Sequence, residues 1–173
     1  MRREVGLFYP AAGKPGGRII PSGLSKKASP IKRGWDEMSL VAWSEDLTIG
    51  VAAVDADHRK LFSLVNYLYD SMIAGKETPV IDEFIDSLII YTKQHFEREE
   101  SLFEETSYPD RLAHRQEHDA LIAQITEAHK RYKSDASATQ LLEMIGFLNK
   151  WMIEHIRKSD KKYAPHLKER GIS

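Results

Sequence analysis

The sequence contains no cysteine. Disulfides, iron–sulfur clusters and thiolate zinc sites are therefore excluded, and any bound metal must take nitrogen or oxygen ligands. No apolar run approaches the roughly 20 residues that a membrane-spanning helix needs, and the amino terminus lacks the apolar core of a secretion signal. We therefore expect a cytoplasmic protein without a membrane span.

The chain also lacks a large excess of either charge, with 25 Lys and Arg against 26 Asp and Glu and a net charge of -1. Such a balance gives no indication of a nucleic-acid partner. Hydrophobic residues make up 42% and charged residues 29% of the 173 residues. These values are typical of one globular domain, long enough to bury a core without covalent cross-links.

Glycine and proline are scarce except in residues 1–37, which hold six of the ten glycines and four of the seven prolines. This segment has no helical or strand periodicity and carries a net charge of +5, which leaves -6 for residues 38–173. It predicts a disordered basic tail, more often merely solvated than bound to an anionic partner. Met38 would serve equally well as the first residue, which would place the tail upstream of the true start.

Apolar residues recur at steps of three and four in four segments of residues 38–173. Helix stop and start signals separate them, at Gly75, Thr78-Pro79, Tyr108-Pro109, Ser137 with Gln140, and Pro165. We expect Thr78 to cap the second helix, Ser137 and Gln140 to form a capping box on the fourth, and that helix to fade near Pro165. Short connections favour antiparallel neighbours, so the prediction is an all-α, up-down-up-down four-helix bundle.

Six polar side chains that can bind a metal fall on the apolar faces of these helices. They are His58, His95, Glu99, His114, His118 and His155. Burying a carboxylate among five imidazoles costs free energy unless a cation compensates the charge. The spacings His95-x-x-x-Glu99 and His114-x-x-x-His118 each place two donors on one helix face, one turn apart. The pattern predicts a buried metal cluster, the alternative being ordinary core or surface histidines with a solvated glutamate.

Two further histidines are expected to lie outside this cluster. His129 follows His118 by eleven residues, roughly 16 Å farther along a helix axis. His166 follows Pro165, beyond the predicted end of the last helix. We expect both to be ordinary surface residues.

The order of these residues, with Asp160 five positions after His155, resembles the complete ligand set of the hemerythrin family. The resemblance covers residues 40 to about 165, including Trp43, Ile49-Gly50 and Asp55-Ala-Asp-His58, and looks bacterial in type. It implies two iron ions, with His114, His118 and His155 on one and His58 and His95 on the other. Glu99, Asp160 and a solvent-derived oxygen would bridge them, leaving one coordination position open on the iron with two histidines.

Asp160 is assigned by this resemblance alone. Five residues on an ideal helix correspond to about 140°, so His155 and Asp160 would not share a face. The ligand set therefore implies a widened turn near the helix end, such as a π-type bulge. The alternative is a surface aspartate beside Lys161 and Lys162.

The resemblance further implies reversible dioxygen binding, for storage or for delivery to an oxygen-consuming enzyme. By helical position Leu61, Phe96, Trp151 and Met152 lie near the open site and would form the dioxygen pocket, although plain core packing explains them equally well. Met152 differs from the leucine usual in the family. Its flexible, oxidisable thioether could alter access to the site or the lifetime of bound oxygen.

Two alternative functions use the same centre. One is a di-iron enzyme acting as a peroxidase or on nitric oxide or iron; ferritin-like enzymes of this kind carry Glu-x-x-His pairs, and the sequence has none. The other is an oxygen or redox sensor module, which would usually carry an output domain. A carrier or store, rather than an enzyme, is therefore the favoured prediction.

Overall fold

The structure, a computed structural model, describes residues 42–173. The predicted tail, residues 1–37, and the boundary at Met38 lie outside these residues. The helices are α1 (Ala52–Ile73), α2 (Thr78–Thr106), α3 (Arg111–Ser134), α4 (Ala138–His155) and α5 (Lys161–Lys168). A short 3-10 turn, Glu45–Leu47, precedes α1, and a π-helical turn, Ile156–Asp160, joins α4 to α5.

Helices α1 to α4 form a closed ring in which α1 packs against α2 and α4, and α3 packs against the same two. Because only a few residues connect consecutive helices, neighbours run antiparallel. The predicted all-α four-helix bundle is confirmed. No strand occurs within residues 42–173, and no helix there is long and apolar enough to cross a membrane.

The apolar stripes that predicted the helices face the bundle axis. Each of the helices α1 to α4 has an apolar residue that is 0% exposed, namely Val65, Ile85, Ile125 and Ile145. Full burial of such a side chain contributes about 1.5–3 kcal/mol to folding. This apolar core fills one part of the bundle and leaves the polar side chains of the stripes together in another.

The helix ends agree with the sequence signals at three of the predicted boundaries, one of which is Tyr108-Pro109, in the connection between α2 and α3. Gly75 follows α1 with a φ of +62°, a left-handed conformation that glycine adopts without strain. Ser137 caps α4, its hydroxyl accepting a hydrogen bond from the Gln140 backbone N–H at 3.3 Å. The Gln140 side chain, however, donates to Asp135 at 3.2 Å instead of closing a capping box.

Two predicted boundaries were wrong. Glu77, not Thr78, is the N-cap of α2, and Thr78 is already the first helical residue. The chain also stays helical past Pro165, through α5 to Lys168. Proline removes one backbone hydrogen bond there, but α5 buries Tyr163, Ala164 and Leu167, and this burial offsets the loss.

Candidate metal centre

Seven side chains with metal-binding atoms meet inside the bundle, each at most 6% exposed. They are His58 from α1, His95 and Glu99 from α2, His114 and His118 from α3, His155 from α4, and Asp160 from the π-helical turn. The structure thus brings together all seven residues singled out in the sequence. The helical stripes explain six of these positions, because each residue takes its place on the inward face of its helix.

The Asp160 carboxylate lies between imidazoles of different helices. Its Oδ1 is 3.1 Å from His155 Nε2 and 3.4 Å from His114 Nε2. Its Oδ2 is 3.3 Å from His58 Nε2. One carboxylate therefore faces two groups of imidazoles through its two oxygens.

The Glu99 carboxylate lies close to His118 and His95, which Asp160 does not contact, and to His58, which Asp160 also contacts. Its Oε2 is 3.2 Å from His118 Nε2 and 3.7 Å from His95 Nε2, and its Oε1 is 4.0 Å from His58 Nε2. Tyr163, which is fully buried, donates its hydroxyl to Glu99 Oε1. Both carboxylates are thus placed where they could bridge two cations held by the histidines.

The π-helical turn is what brings Asp160 to this position. The widened turn predicted from the five-residue spacing is confirmed, since residues Ile156–Asp160 are π-helical. Each residue of a wider turn covers a smaller angle than in an α-helix, so the fifth residue returns to the face of the first. As a result, His155 and Asp160 both point into the centre.

Six buried donor atoms of this centre make no hydrogen bond of acceptable geometry within the described chain, although some lie only 3.1–3.4 Å from one another. They are Nε2 of His114, His118 and His155, Oε2 of Glu99, and Oδ1 and Oδ2 of Asp160. An unsatisfied buried polar group costs about 1–3 kcal/mol. A metal cation would satisfy all six at once, and imidazole with carboxylate is a donor set suited to iron and other divalent ions. The residues present therefore fit a metal cluster.

The electrostatics of the centre also favour a bound cation. Burial alone would raise the pKa of Glu99, but the imidazoles of His95 and His118 outweigh it and lower that pKa to about 2. Burial likewise opposes ionisation of Asp160, and His155, His114 and His58 hold its pKa well below the ordinary range. Conversely, Asp160 raises the pKa of His58 and of His155, against the effect of burial. The carboxylates are therefore held as anions, and in the metal-free chain the imidazoles beside them compensate this charge, which a bound cation would do in their place.

Three carboxylates outside the centre contact the other ring nitrogen of its histidines. Glu100 is 3.0 Å from His118 Nδ1, Glu117 is 3.0 Å from His155 Nδ1, and Asp57 is 3.5 Å from His95 Nδ1. An acceptor at Nδ1 holds the proton there and leaves Nε2 free to bind a metal. Each of these three imidazoles is therefore oriented by two carboxylates, one inside the centre at Nε2 and one outside it at Nδ1.

These outer carboxylates are themselves fixed by hydrogen bonds. Arg98 contacts Asp57 at 2.6 Å and Arg115 contacts Glu100 at 2.7 Å. Burial tends to raise the pKa of Asp57, but hydrogen bonds from His95, Tyr91 and Arg98 lower it overall. Sequence reasoning missed all three carboxylates, although each directly adjoins a predicted ligand in the chain.

Comparison with known proteins places the chain in a family. The family model described as the hemerythrin HHE cation binding domain matches residues 49–167. The chain belongs to the hemerythrin family. The bacteriohemerythrin of Stenotrophomonas maltophilia is 32% identical to this hemerythrin, over 76% of this chain and 84% of the relative. That of Methylococcus capsulatus is 32% identical over 75% of this chain and 98% of the relative.

The fold of this hemerythrin is also similar to that of solved hemerythrins. A wild-type hemerythrin crystal structure superposes with a TM-score of 0.67 at 30% sequence identity, covering 74% of this chain and 98% of the other. A single-residue variant of hemerythrin superposes with a TM-score of 0.68, also at 30% identity. The resemblance inferred from the sequence is confirmed.

An apolar cavity adjoins the metal centre of this hemerythrin. Leu61, Phe96, Trp151 and Met152 line it together with three of the histidines and Asp160. The Phe96 ring stacks on His118 with ring centroids 3.6 Å apart, and Trp151 stacks on His155 at 4.2 Å. All four predicted pocket residues therefore line the cavity, and Phe96 and Trp151 also stack on imidazoles of the centre.

The two remaining histidines differ from their predicted positions. His129 is buried at 4% exposure, so the prediction of a surface residue was wrong. Its Nε2 is 2.5 Å from Asp82 and its Nδ1 is 3.4 Å from Asp86, in a group separate from the metal centre. His166 is half-buried, with Nε2 3.0 Å from the Thr106 carbonyl oxygen.

Proposed function

We propose that this hemerythrin holds two iron ions and binds dioxygen reversibly, for storage or for delivery to an oxygen-consuming enzyme. One observation carries the proposal: five imidazoles from four helices converge on two buried carboxylates. Each carboxylate lies close to imidazoles from at least three of these helices. Iron bound there would supply the electrons and the open coordination position that dioxygen binding requires.

The proposed ligands divide into two sets according to their positions. His114, His118 and His155 would hold one iron, and His58 and His95 the other. Glu99 and Asp160 would bridge the two ions, together with a solvent-derived oxygen. In support of this division, the two imidazoles nearest Asp160 Oδ1 belong to the first set, and the imidazole nearest Oδ2 belongs to the second.

The cavity residues keep the site dry. Leu61, Phe96 and Met152 are at most 7% exposed, and the Trp151 ring covers the His155 imidazole. Reversible binding requires that water and stray protons stay away from the bound gas, because either would promote irreversible oxidation of the metal. We therefore assign these side chains to the dioxygen pocket.

The outer carboxylates prepare the histidines for binding. Glu100, Glu117 and Asp57 accept the Nδ1 protons of His118, His155 and His95. This arrangement orients the Nε2 atoms towards the centre, where a metal would bind them. The binding geometry is thereby built largely in advance.

An optical spectrum of the iron-reconstituted protein tests the proposal. The reduced protein should be nearly colourless, should gain charge-transfer bands on exposure to air, and should lose them again on deoxygenation, over several cycles. Irreversible bleaching with turnover of added peroxide or nitric oxide would instead support the di-iron enzyme alternative. A protein partner captured only in the oxygenated state would support the sensor alternative.

A further inference from the structure

The position of two proposed ligands depends on the π-helical turn. His155 lies just before the turn and Asp160 is its last residue, so both must be placed correctly by the same five residues. π-Helical hydrogen bonding is rare and is usually confined to single turns. Something outside the turn must therefore favour it over the regular α-helix, which would direct Asp160 away from the centre.

Glu117 of α3 contacts both sides of this turn. Its Oε2 accepts a hydrogen bond from Ser159 Oγ at 2.6 Å and lies 3.0 Å from His155 Nδ1. Ser159 is 7% exposed and directly precedes Asp160. A single carboxylate oxygen thus fixes the distance between the two ends of the turn.

The contacts on the outer side of the turn are weaker candidates for this task. Arg157 pairs with Asp46 at 2.6 Å, but both side chains are about half exposed, at 52% each, whereas the two partners of Glu117 are buried, His155 at 6% and Ser159 at 7% exposure. Exposed ion pairs of this kind contribute about 0–1 kcal/mol. Lys158 pairs with Glu154, four residues earlier on the preceding helix, and does not reach another helix.

We propose that Glu117 and Ser159 form a latch that holds the π-helical turn and so positions His155 and Asp160 for metal binding. The inference rests on the proposed function, since it concerns two of the proposed ligands. Glu117 is a positioning residue, because it reaches the centre only through His155 and Ser159. It lies on α3 between His114 and His118, so the latch also ties the turn to the helix that carries two other proposed ligands.

Four variants separate the latch from a general effect of charge. Glu117→Ala removes the acceptor, whereas Glu117→Gln keeps an oxygen that can accept the same two hydrogen bonds. Ser159→Ala removes one donor. Glu127→Ala is the matched control, because Glu127 is an exposed glutamate of the same helix, ten residues farther along. Glu117 is 45% exposed and alanine is a strong helix former, so all four chains are expected to fold.

The first measurement is an anaerobic titration with ferrous ion. Glu117→Ala should lower the iron affinity about ten- to hundred-fold, the range found when an outer partner of a metal ligand is removed. Glu117→Gln and Ser159→Ala should have smaller effects, and Glu127→Ala none. Equal affinities for Glu117→Ala and Glu127→Ala would overturn the latch.

The second measurement needs no metal. Amide hydrogen exchange of the iron-free protein should be faster over residues Ile156–Asp160 in Glu117→Ala and Ser159→Ala than in wild type and Glu127→Ala. Unchanged exchange there would also overturn the latch. If wild type itself failed to bind iron, the proposed function would fail, and the exchange rates would still decide whether Glu117 holds the turn.

Discussion

Among residues 42–173, two groups combine histidine with carboxylates inside or beside the bundle, and one of the two has the properties expected of a metal centre. In both, at least three potential donor atoms lie within 4.8 Å of one another. In the group of His129 with Asp82 and Asp86, both ring nitrogens face carboxylates, and the Lys133 ammonium lies 3.4 Å from Asp82. The Lys133 ammonium is also 3.6 Å from Asp86, so a cation within the chain compensates part of the charge of that group.

The group around Glu99 and Asp160 has no Lys or Arg ion pair within the described residues; its two carboxylates pair with imidazoles alone. Six of its donor atoms make no hydrogen bond of acceptable geometry within the described chain, and all of them belong to side chains at most 6% exposed. The closeness of potential metal-binding atoms is therefore a poor criterion for a metal site by itself, because a cluster of ion pairs also brings such atoms together. Buried donors that lack hydrogen bonds and converge on one space distinguish the metal centre.

The largest expected difference between the groups comes from substituting one histidine in each. His118→Ala should abolish stoichiometric iron binding. His95→Ala, on the neighbouring helix, should have the same effect and should also abolish dioxygen binding. His129→Ala should bind iron like wild type, while losing about 1–3 kcal/mol of unfolding free energy because buried hydrogen bonds are removed. Iron analysis and chemical denaturation measure both effects. Normal iron content in His118→Ala would refute the ligand assignment.

Iron should stabilise the protein through one group only. Binding to the native state alone adds about 4 kcal/mol to the free energy of unfolding when free metal exceeds the dissociation constant a thousand-fold. We expect this increment in wild type and His129→Ala, measured by anaerobic denaturant titration with and without ferrous ion. The same increment in His118→Ala would show that iron stabilises the chain from somewhere else.

Iron-free protein should show a pH dependence that originates in the buried group. The lowered pKa of Glu99, about 2 against an ordinary 4.5, gives stability that is present above pH 4.5 and lost as pH falls towards 2. The raised pKa of His58 and of His155 gives stability that is present below pH 6.5 and lost as pH rises through the folded-state values. Thermal melts should therefore show maximum stability between pH 4.5 and 6.5.

Asp160→Asn provides the control for this profile. It removes the carboxylate that raises the pKa of both histidines, so the loss of stability above pH 6.5 should become smaller. Iron-loaded wild type should gain more stability from the metal at pH 7.5 than at pH 5.5, because ligating imidazoles must be neutral. A flat iron-free profile from pH 5 to 8 would contradict the electrostatic description of the group.

The smallest expected effect concerns the cavity wall. Met152→Leu is a swap of similar volume, which typically costs less than about 1.5 kcal/mol. Iron content should stay unchanged, and autoxidation of the oxygenated protein should slow by about a few-fold, because leucine is less flexible and cannot be oxidised. The decay of the charge-transfer bands measures this rate. Faster decay in the leucine variant would show that the Met152 side chain does not shorten the lifetime of bound oxygen.

Helical periodicity was sufficient to predict the bundle and to single out six residues of the candidate metal centre, which the structure brings together. Asp160 needed the family resemblance, because an ideal helix directs it about 140° away from His155. His129 was misjudged for a reason that periodicity could have corrected. Eleven residues correspond to about three full turns, so His129 shares the inward face of His118 although it lies far along the axis.

The outer carboxylates could not be predicted in the same way. Asp57, Glu100 and Glu117 each adjoin a proposed ligand in sequence, but each contacts a histidine of a different helix. Such pairings depend on how the helices are rotated against one another, and the periodicity of one helix carries no information about that rotation. The latch at Glu117 therefore became visible only in the folded chain.

The most direct test of the metal centre is the number of irons bound per chain. Anaerobic titration of the iron-free protein with ferrous ion, followed by removal of loosely bound metal and elemental analysis, should give two irons per polypeptide in wild type. His129→Ala should give the same value. A value far below two in carefully reconstituted wild-type protein would contradict the account.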